Sequence, residues 1–187
     1  MGYFMALYSV ASYATDGIGL SQTEAAAAQS LLASGLMIGR PLTGLALDKG
    51  GRVNIALCAN LVAGVTCWAL WLPSRSFALL AAFSFLHGCV AGSVWSAASP
   101  VTAQIVGSAH VGPALAVFWH VTAAPAAVSS GIAHALLYYS RHTLGRHRAE
   151  TYTISIVCCG GLYILSGLSL YGAKIYHQKS FGIWKKA

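Results

Sequence analysis

The feature that most limits this fold is a series of apolar runs of bilayer-crossing length, joined by very short polar connections. A helical span needs about 20 mostly apolar residues. Five runs reach that length, at residues 25–47, 53–72, 77–99, 113–140 and 152–176. A sixth, at residues 3–14, is apolar but too short to cross, and it reads as the end of a helix whose beginning is missing. Backbone polar groups in hydrocarbon must be satisfied within their own segment, so runs of this kind are expected to be helical. Composition supports the reading, because only 8% of the 187 residues are charged against about 25% in soluble domains. The expected fold is all-α: one polytopic membrane domain over residues 1–187, a six-helix bundle with its first helix truncated.

The connections carry most of the polar chemistry. TDGIGLSQTE, at residues 15–24, holds two of the four acids. Within it Ser21 and Glu24 have the spacing of a capping box, which predicts a helix start. Residues 48–52 form a tight glycine-containing turn, and residues 73–76 a minimal link after Trp68 and Trp71. In a soluble chain the net charge of +7 would point to nucleic acid or other anionic partners. Here most basic residues flank apolar runs or sit at the carboxyl terminus, a placement suited to a lipid bilayer and unsuited to nucleic acid. Counting Lys and Arg places Lys49, Arg52, Lys174, Lys179, Lys185 and Lys186 on one side and Arg75, Arg141, Arg146 and Arg148 on the other. Six against four predicts a cytoplasmic carboxyl terminus.

Catalysis finds little support. The chain has no paired carboxylates, nucleophile elbow, HExxH or phosphate loop. Five cysteines (58, 67, 89, 158 and 159) lack metal-ligand or redox spacing and read as small packing residues. No enzyme, cofactor or metal centre is expected.

Arg40 is the misplaced residue. A charge inside a span costs at least about 2.5 kcal/mol on insertion scales, so it faces a cavity or a partner, or it snorkels. The Asp48 end lies about 12 Å away along a helix, so both readings stay open. At helical spacing Gln29, Ala33, Arg40 and Thr43 share a broad face, which suggests a water-lined cavity. On the run at 77–99, Ser84, Gly88, Gly92, Trp95 and Ser99 share another, with Trp95 a candidate for stacking on a ligand or for filling space beside glycine. Gly35 and Gly39, and Gly88 and Gly92, have the four-residue spacing of close helix packing. Intramembrane His87 and His120 are candidates for proton sensitivity or for structural hydrogen bonding. His134 shares a face with His120, but about 21 Å separates them along a helix.

The stretch GLALDKGGR, residues 44–52, resembles the signature turn of the major facilitator superfamily. Gly44, Asp48, Lys49, Gly51 and Arg52 match it position by position. With YATDGIGLSQTEA, IGRPLTGLALDKGGRVN and the segment carrying Gly88, Gly92 and Trp95, the chain resembles the carboxyl-terminal half of a fungal monocarboxylate-permease-like transporter. The resemblance implies helices seven to twelve of a twelve-helix fold, a midplane cavity shared with an amino-terminal six-helix half that is not in this chain, and alternating access. It implies a conformational latch at the signature turn and a substrate contact at Arg40; from their positions on the helix faces Gln29 and Trp95 are secondary candidates for substrate contact. An arginine fork suits a carboxylate because two N–H groups can bond both oxygens. The sequence departs from animal relatives at Leu36, where they carry an acid one turn before the arginine. The expected function is facilitator-type carriage of a small organic solute, such as a monocarboxylate or related anion, across a membrane, most simply the plasma membrane. The alternative is a truncated or degenerate membrane protein that inserts but carries nothing.

Overall fold

The computed structural model describes residues 1–145 and 148–178, and within them the chain is helical throughout, with no strand. Arg146, Lys179, Lys185 and Lys186, used in the charge count, lie outside the described residues. The first helix, α1 (Gly2–Ser12), runs into a π turn at Tyr13–Ile18, followed by α2 (Gln22–Gly50) and α3 (Arg52–Thr66) with a π turn at Cys67–Trp71. Next come α4 (Phe77–Ala91), α5 (Ser93–Val106), α6 (Val111–His142) and α7 (Thr153–Gln178), with short 3-10 turns before α6 and α7. Five stretches are long and apolar enough to cross a membrane: Gln22–Gly50, Arg52–Trp71, Phe77–Gln104, Ser108–His142 and Arg148–Ile175. The apolar side chains on their outer faces, such as Val121 and Leu45 at 67% and 61% exposure, suit lipid rather than water. The molecule is an all-helical, multi-pass membrane bundle.

Local chemistry accounts for the helix ends. The Ser21 hydroxyl accepts from the Glu24 N–H, and a Glu24 carboxylate oxygen accepts from the Ser21 N–H at 2.9 Å, completing the capping box that opens α2. Between α2 and α3 a single residue, Gly51, turns the chain at φ +86°, a conformation in which any Cβ would be strained. The apolar run at 77–99 reads as one uninterrupted helix, but the chain breaks at Gly92, and α5 continues to Val106. Gly92 has little intrinsic preference for helix, and the Leu36 and Arg40 side chains of α2 pack against it.

Lipid removes the hydrophobic drive between helices, so close backbone approach and buried hydrogen bonds hold such bundles together. Here α2 packs most extensively on α4, and the two glycine pairs make that possible. A Cβ added at Gly35 would overlap the Phe85 carbonyl oxygen, one at Gly39 the Cys89 backbone, and one at Gly88 the Leu32 carbonyl. Across α3 and α7, Gly64 faces Ile164, and Gly160 lies under Trp68, whose indole N–H donates to the Val157 carbonyl at 3.3 Å. Lys174, near the end of the apolar run at 152–176, lies within α7. It is 4% exposed, and its Nζ donates to Asn54 Oδ1 of α3 at 2.6 Å.

The core is lined by rings. Tyr13, Trp71, Phe83, His87 and Tyr163 form a column through the bundle, with successive centroids 6.0, 5.0, 4.9 and 5.4 Å apart. Cys67 and Cys159 lie beside it, fully buried, with sulfurs 4.0 Å apart.

Candidate functional site

Arg40 sits on the exposed side of α2, where the helix passes the break between α4 and α5. Its aliphatic stem runs across Gly92: a Cβ there would come within 3.3 Å of Arg40 Cγ and 3.7 Å of Nε. The backbone is tied at the same point, because the Ser96 hydroxyl of α5 donates to the Arg40 carbonyl at 3.1 Å. The guanidinium itself has no hydrogen-bond or ion-pair partner among the described residues. One turn earlier stands Leu36, packed against the same glycine. The result is a held arginine whose charged fork is left free for an external acceptor.

The signature turn divides into two parts. Arg52 reaches across to α5, where Nη1 donates to the Pro100 carbonyl at 3.2 Å. This bond sets a cation against the middle of α5, at its internal proline. It also clamps the Gly51 turn to the helix that follows the break. Asp48 and Lys49 are exposed and bond to no other described residue. The space around Gly44 is open, with nothing within 4 Å of a Cβ built there.

Trp95 belongs to a second feature, an aromatic pocket of about 180 Å³. Its indole stacks on Trp119 of α6 at 5.2 Å and 14°, and meets Tyr3 and Phe4 of α1 edge-on. Its Nε1 is buried without an acceptor, so a donor is available there at a desolvation cost already incurred. Thr122, Ser166 and Asn60 supply polar groups at the rim. Arg40 and Gln29 do not line this pocket. Gln29 turns toward α1 instead, with Nε2 donating to the Leu7 carbonyl at 3.1 Å while Oε1 is buried and unpaired. It ties α2 to α1.

The two histidines fall in opposite settings. His87 is buried in the ring column, with Nδ1 2.9 Å from the Thr66 hydroxyl and Nε2 3.5 Å from the Tyr163 hydroxyl. Because Tyr163 lines the aromatic pocket, a hydrogen-bonded path leads from Thr66 through His87 to that pocket. His120 is exposed on α6, where Nδ1 donates to its own helix at the Ala116 carbonyl, 2.7 Å away. No group of three or more potential metal ligands occurs among the described residues.

Sequence reasoning did not single out Trp119, Tyr3 or Ser96, nor Gly92 as the bed of Arg40. Phe118, Trp119 and His120 form an aromatic cluster in sequence, a signal for the pocket, but the pairing of Trp119 with Trp95 depends on how α5 and α6 meet.

Comparison with known proteins agrees with this architecture. Residues 1–182 match the model of the Major Facilitator Superfamily. The chain is 30% identical to the probable transporter MCH2 of Saccharomyces cerevisiae over 107 residues, 57% of this chain and 22% of that protein. It is 30% identical to the yeast uncharacterized transporter ESBP6 over 162 residues, 87% of this chain and 23% of that one. To MFS-type transporter 1 of an Ophiocordyceps species it is 26% identical over 177 residues, 94% of this chain and 38% of the relative. The matched region thus spans from about a fifth to two-fifths of the length of these relatives. A multi-pass helical bundle, the glycine-junction turn between α2 and α3, and a family match across nearly the whole chain lead to one assignment: this chain belongs to the Major Facilitator Superfamily.

Proposed function

We propose that the chain forms the carboxyl-terminal half of a secondary carrier that moves a small organic anion, a monocarboxylate or close relative, across a membrane by alternating access. The observation that carries this reading is the free guanidinium of Arg40, held by Gly92 and Ser96 inside a helix long enough to cross a bilayer. A charge left unpaired at such depth is costly, and a planar carboxylate is the ligand that best satisfies its fork. Transporter names among the relatives support carriage over chemistry. The partner is an amino-terminal six-helix half that completes the cavity around Arg40. Trp95 contributes an aromatic wall and a lone N–H donor, while Gln29 holds α1 in place.

The clamp from Arg52 to Pro100 couples the signature turn to the α4–α5 break beside Arg40, so a movement of the turn reaches the binding residue through one short helix. Asp48 and Lys49 are the latch groups left to engage the other half. His87 is a hydrogen-bonded member of the buried ring column, with Thr66 and Tyr163 as neighbours, and His120 faces outward. The membrane is the plasma membrane, with the carboxyl terminus in the cytoplasm.

The test is uptake of labelled monocarboxylates by cells expressing the chain together with its upstream coding region. Arg40→Ala is expected to abolish uptake with insertion and abundance unchanged, and Arg40→Lys to retain a small fraction. Normal uptake by Arg40→Ala would overturn the assignment. Absence of uptake by any form of the protein would favour the non-transporting alternative.

A further inference from the structure

At the end of the bundle opposite the Gly51 turn, a cavity of about 350 Å³ opens between the π turn after α1, the last turns of α6 and the 3-10 turn before α7. Its walls carry Ser12 and Asp16 on one side and His134, Tyr138, Arg141 and His142 of α6 on the other. Tyr152, 2% exposed, is among the residues that line it. That ring packs edge-on against Tyr13 at 5.3 Å, and the Tyr13 hydroxyl is fixed by donation to the Ser74 carbonyl at 2.6 Å. Leu137, Ser12 and His134 also line a narrower cleft that continues along α1 and α6 past Ser9 and Ser130. None of these residues takes part in the Arg40 site or the signature turn.

We propose that this groove is a binding site for a small monoanion, held by Arg141 with His134 and His142, and that Asp16 competes with the anion for those cations. With neutral imidazoles the charges of Asp16 and Arg141 cancel, and an anion gains little. Imidazole is the side chain whose charge changes between about pH 5 and 8, so acidification adds up to two positive charges to a wall that already holds Arg141. The His142 ring rests on Tyr138 with centroids 4.3 Å apart, which holds the imidazole against the groove wall. Among the described residues, the other charged or titratable groups nearby are Tyr152 in the groove wall, Tyr13 packed against it, Arg148 and Glu150 exposed on the same 3-10 turn, and Arg75, whose Nη1 donates to the Tyr13 hydroxyl. The serines of the cleft continue the groove with hydroxyl donors.

The experiment uses the purified chain in nanodiscs, in an Arg40→Ala background so that the groove alone is read. The probe is acetate, followed by calorimetry and by the 13Cε1 resonances of labelled histidine. Acetate is expected to bind about tenfold more tightly at about pH 5.5 than at about pH 7.5, the order expected for added charge in a partly solvated groove. Arg141→Gln should remove binding at both pH values. Asp16→Asn should do the opposite and bring binding at the higher pH close to that of the parent at the lower, a gain that misfolding cannot imitate. Displacement of acetate by chloride assigns the groove to small anions in general, and resistance to chloride assigns it to carboxylates. Equal affinity at the two pH values, an unchanged Arg141→Gln variant, or an Asp16→Asn variant no tighter than its parent would each overturn the proposal. Because uptake is not measured, failure here leaves the Arg40 reading standing.

Discussion

Gly39 and Gly44 lie five residues apart in α2 and should respond in opposite directions to the same substitution. Adding a methyl group inside a helix gains about 1 kcal/mol from backbone entropy and propensity. At Gly44 nothing lies within 4 Å of the new Cβ, so Gly44→Ala should keep most of that gain, about 0.5–1 kcal/mol. At Gly39 the Cβ would overlap three backbone atoms of Cys89, and backbone cannot swing aside as a side chain can. Relief requires α2 and α4 to separate along their whole contact, including the Gly35 and Gly88 crossings. Overpacking of this kind costs about 1–3 kcal/mol, so Gly39→Ala should lose about 1–2 kcal/mol net. The assay is the unfolding midpoint of each purified variant in one detergent, where about 2–4 °C is expected per kcal/mol for a chain of this length. If Gly39→Ala proves as stable as Gly44→Ala, the close α2–α4 contact is not what holds these helices, and the reasoning fails. Gly44→Ala carries a second readout. On the proposed function, a stable Gly44→Ala variant with lowered uptake would place the neighbour that requires glycine there outside this bundle.

Further expectations follow from single contacts. Asn54→Ala removes one acceptor of a buried ammonium and should destabilise by about 1–3 kcal/mol, measured in the same unfolding assay, while Asn54→Asp should be much less harmful. Arg52→Gln gives up the bond to the Pro100 carbonyl, at a cost of about 1–3 kcal/mol for a charged donor. If the proposed carriage holds, it should slow uptake more than it changes half-saturation, since Arg52 does not touch the Arg40 fork. Thr66→Val leaves His87 Nδ1 without its hydroxyl partner and should cost about 1–3 kcal/mol. Val at 66 matching wild type in unfolding would mean that the short Thr66–His87 contact contributes nothing. Trp95→Phe should retain the stacking with Trp119 but lose the buried N–H. It should therefore affect solutes bearing an acceptor more than apolar ones, as read from competition in uptake.

Much of the molecule is legible in its sequence, and physics explains which part. Apolar runs of span length, separated by capping boxes, glycine turns and prolines, dictate membrane helices because hydrocarbon offers the backbone no other hydrogen-bond partner. Ser21 with Glu24 and the lone Gly51 junction are local devices that operate within a few residues, so their sequence spacing suffices to predict them. Arg40 was conspicuous for a similar reason: a charge in an apolar run is anomalous wherever the helix ends up.

Tertiary structure decided which groups meet, and that depends on rotation and translation of whole helices. Gln29 and Arg40 share a face on a helical wheel, yet Gln29 is drawn to the Leu7 carbonyl of α1 while Arg40 lies over Gly92 of the α4–α5 break. Lys174 counts in the sequence only as a basic residue near the end of an apolar run, and it is the packing of α7 on α3 that brings it to Asn54. Trp95 and Trp119, 24 positions apart, stack because α5 and α6 cross there, and Asp16 joins His134 and Arg141 because α1 and α6 end at the same side of the bundle. The sequence by itself determined a membrane-spanning helical chain with one anomalous charge and a turn of known type. Only the packing, set by where glycine lets two backbones touch, decided that the charge is held with its fork free and that a second cluster of ionisable groups gathers at the opposite end.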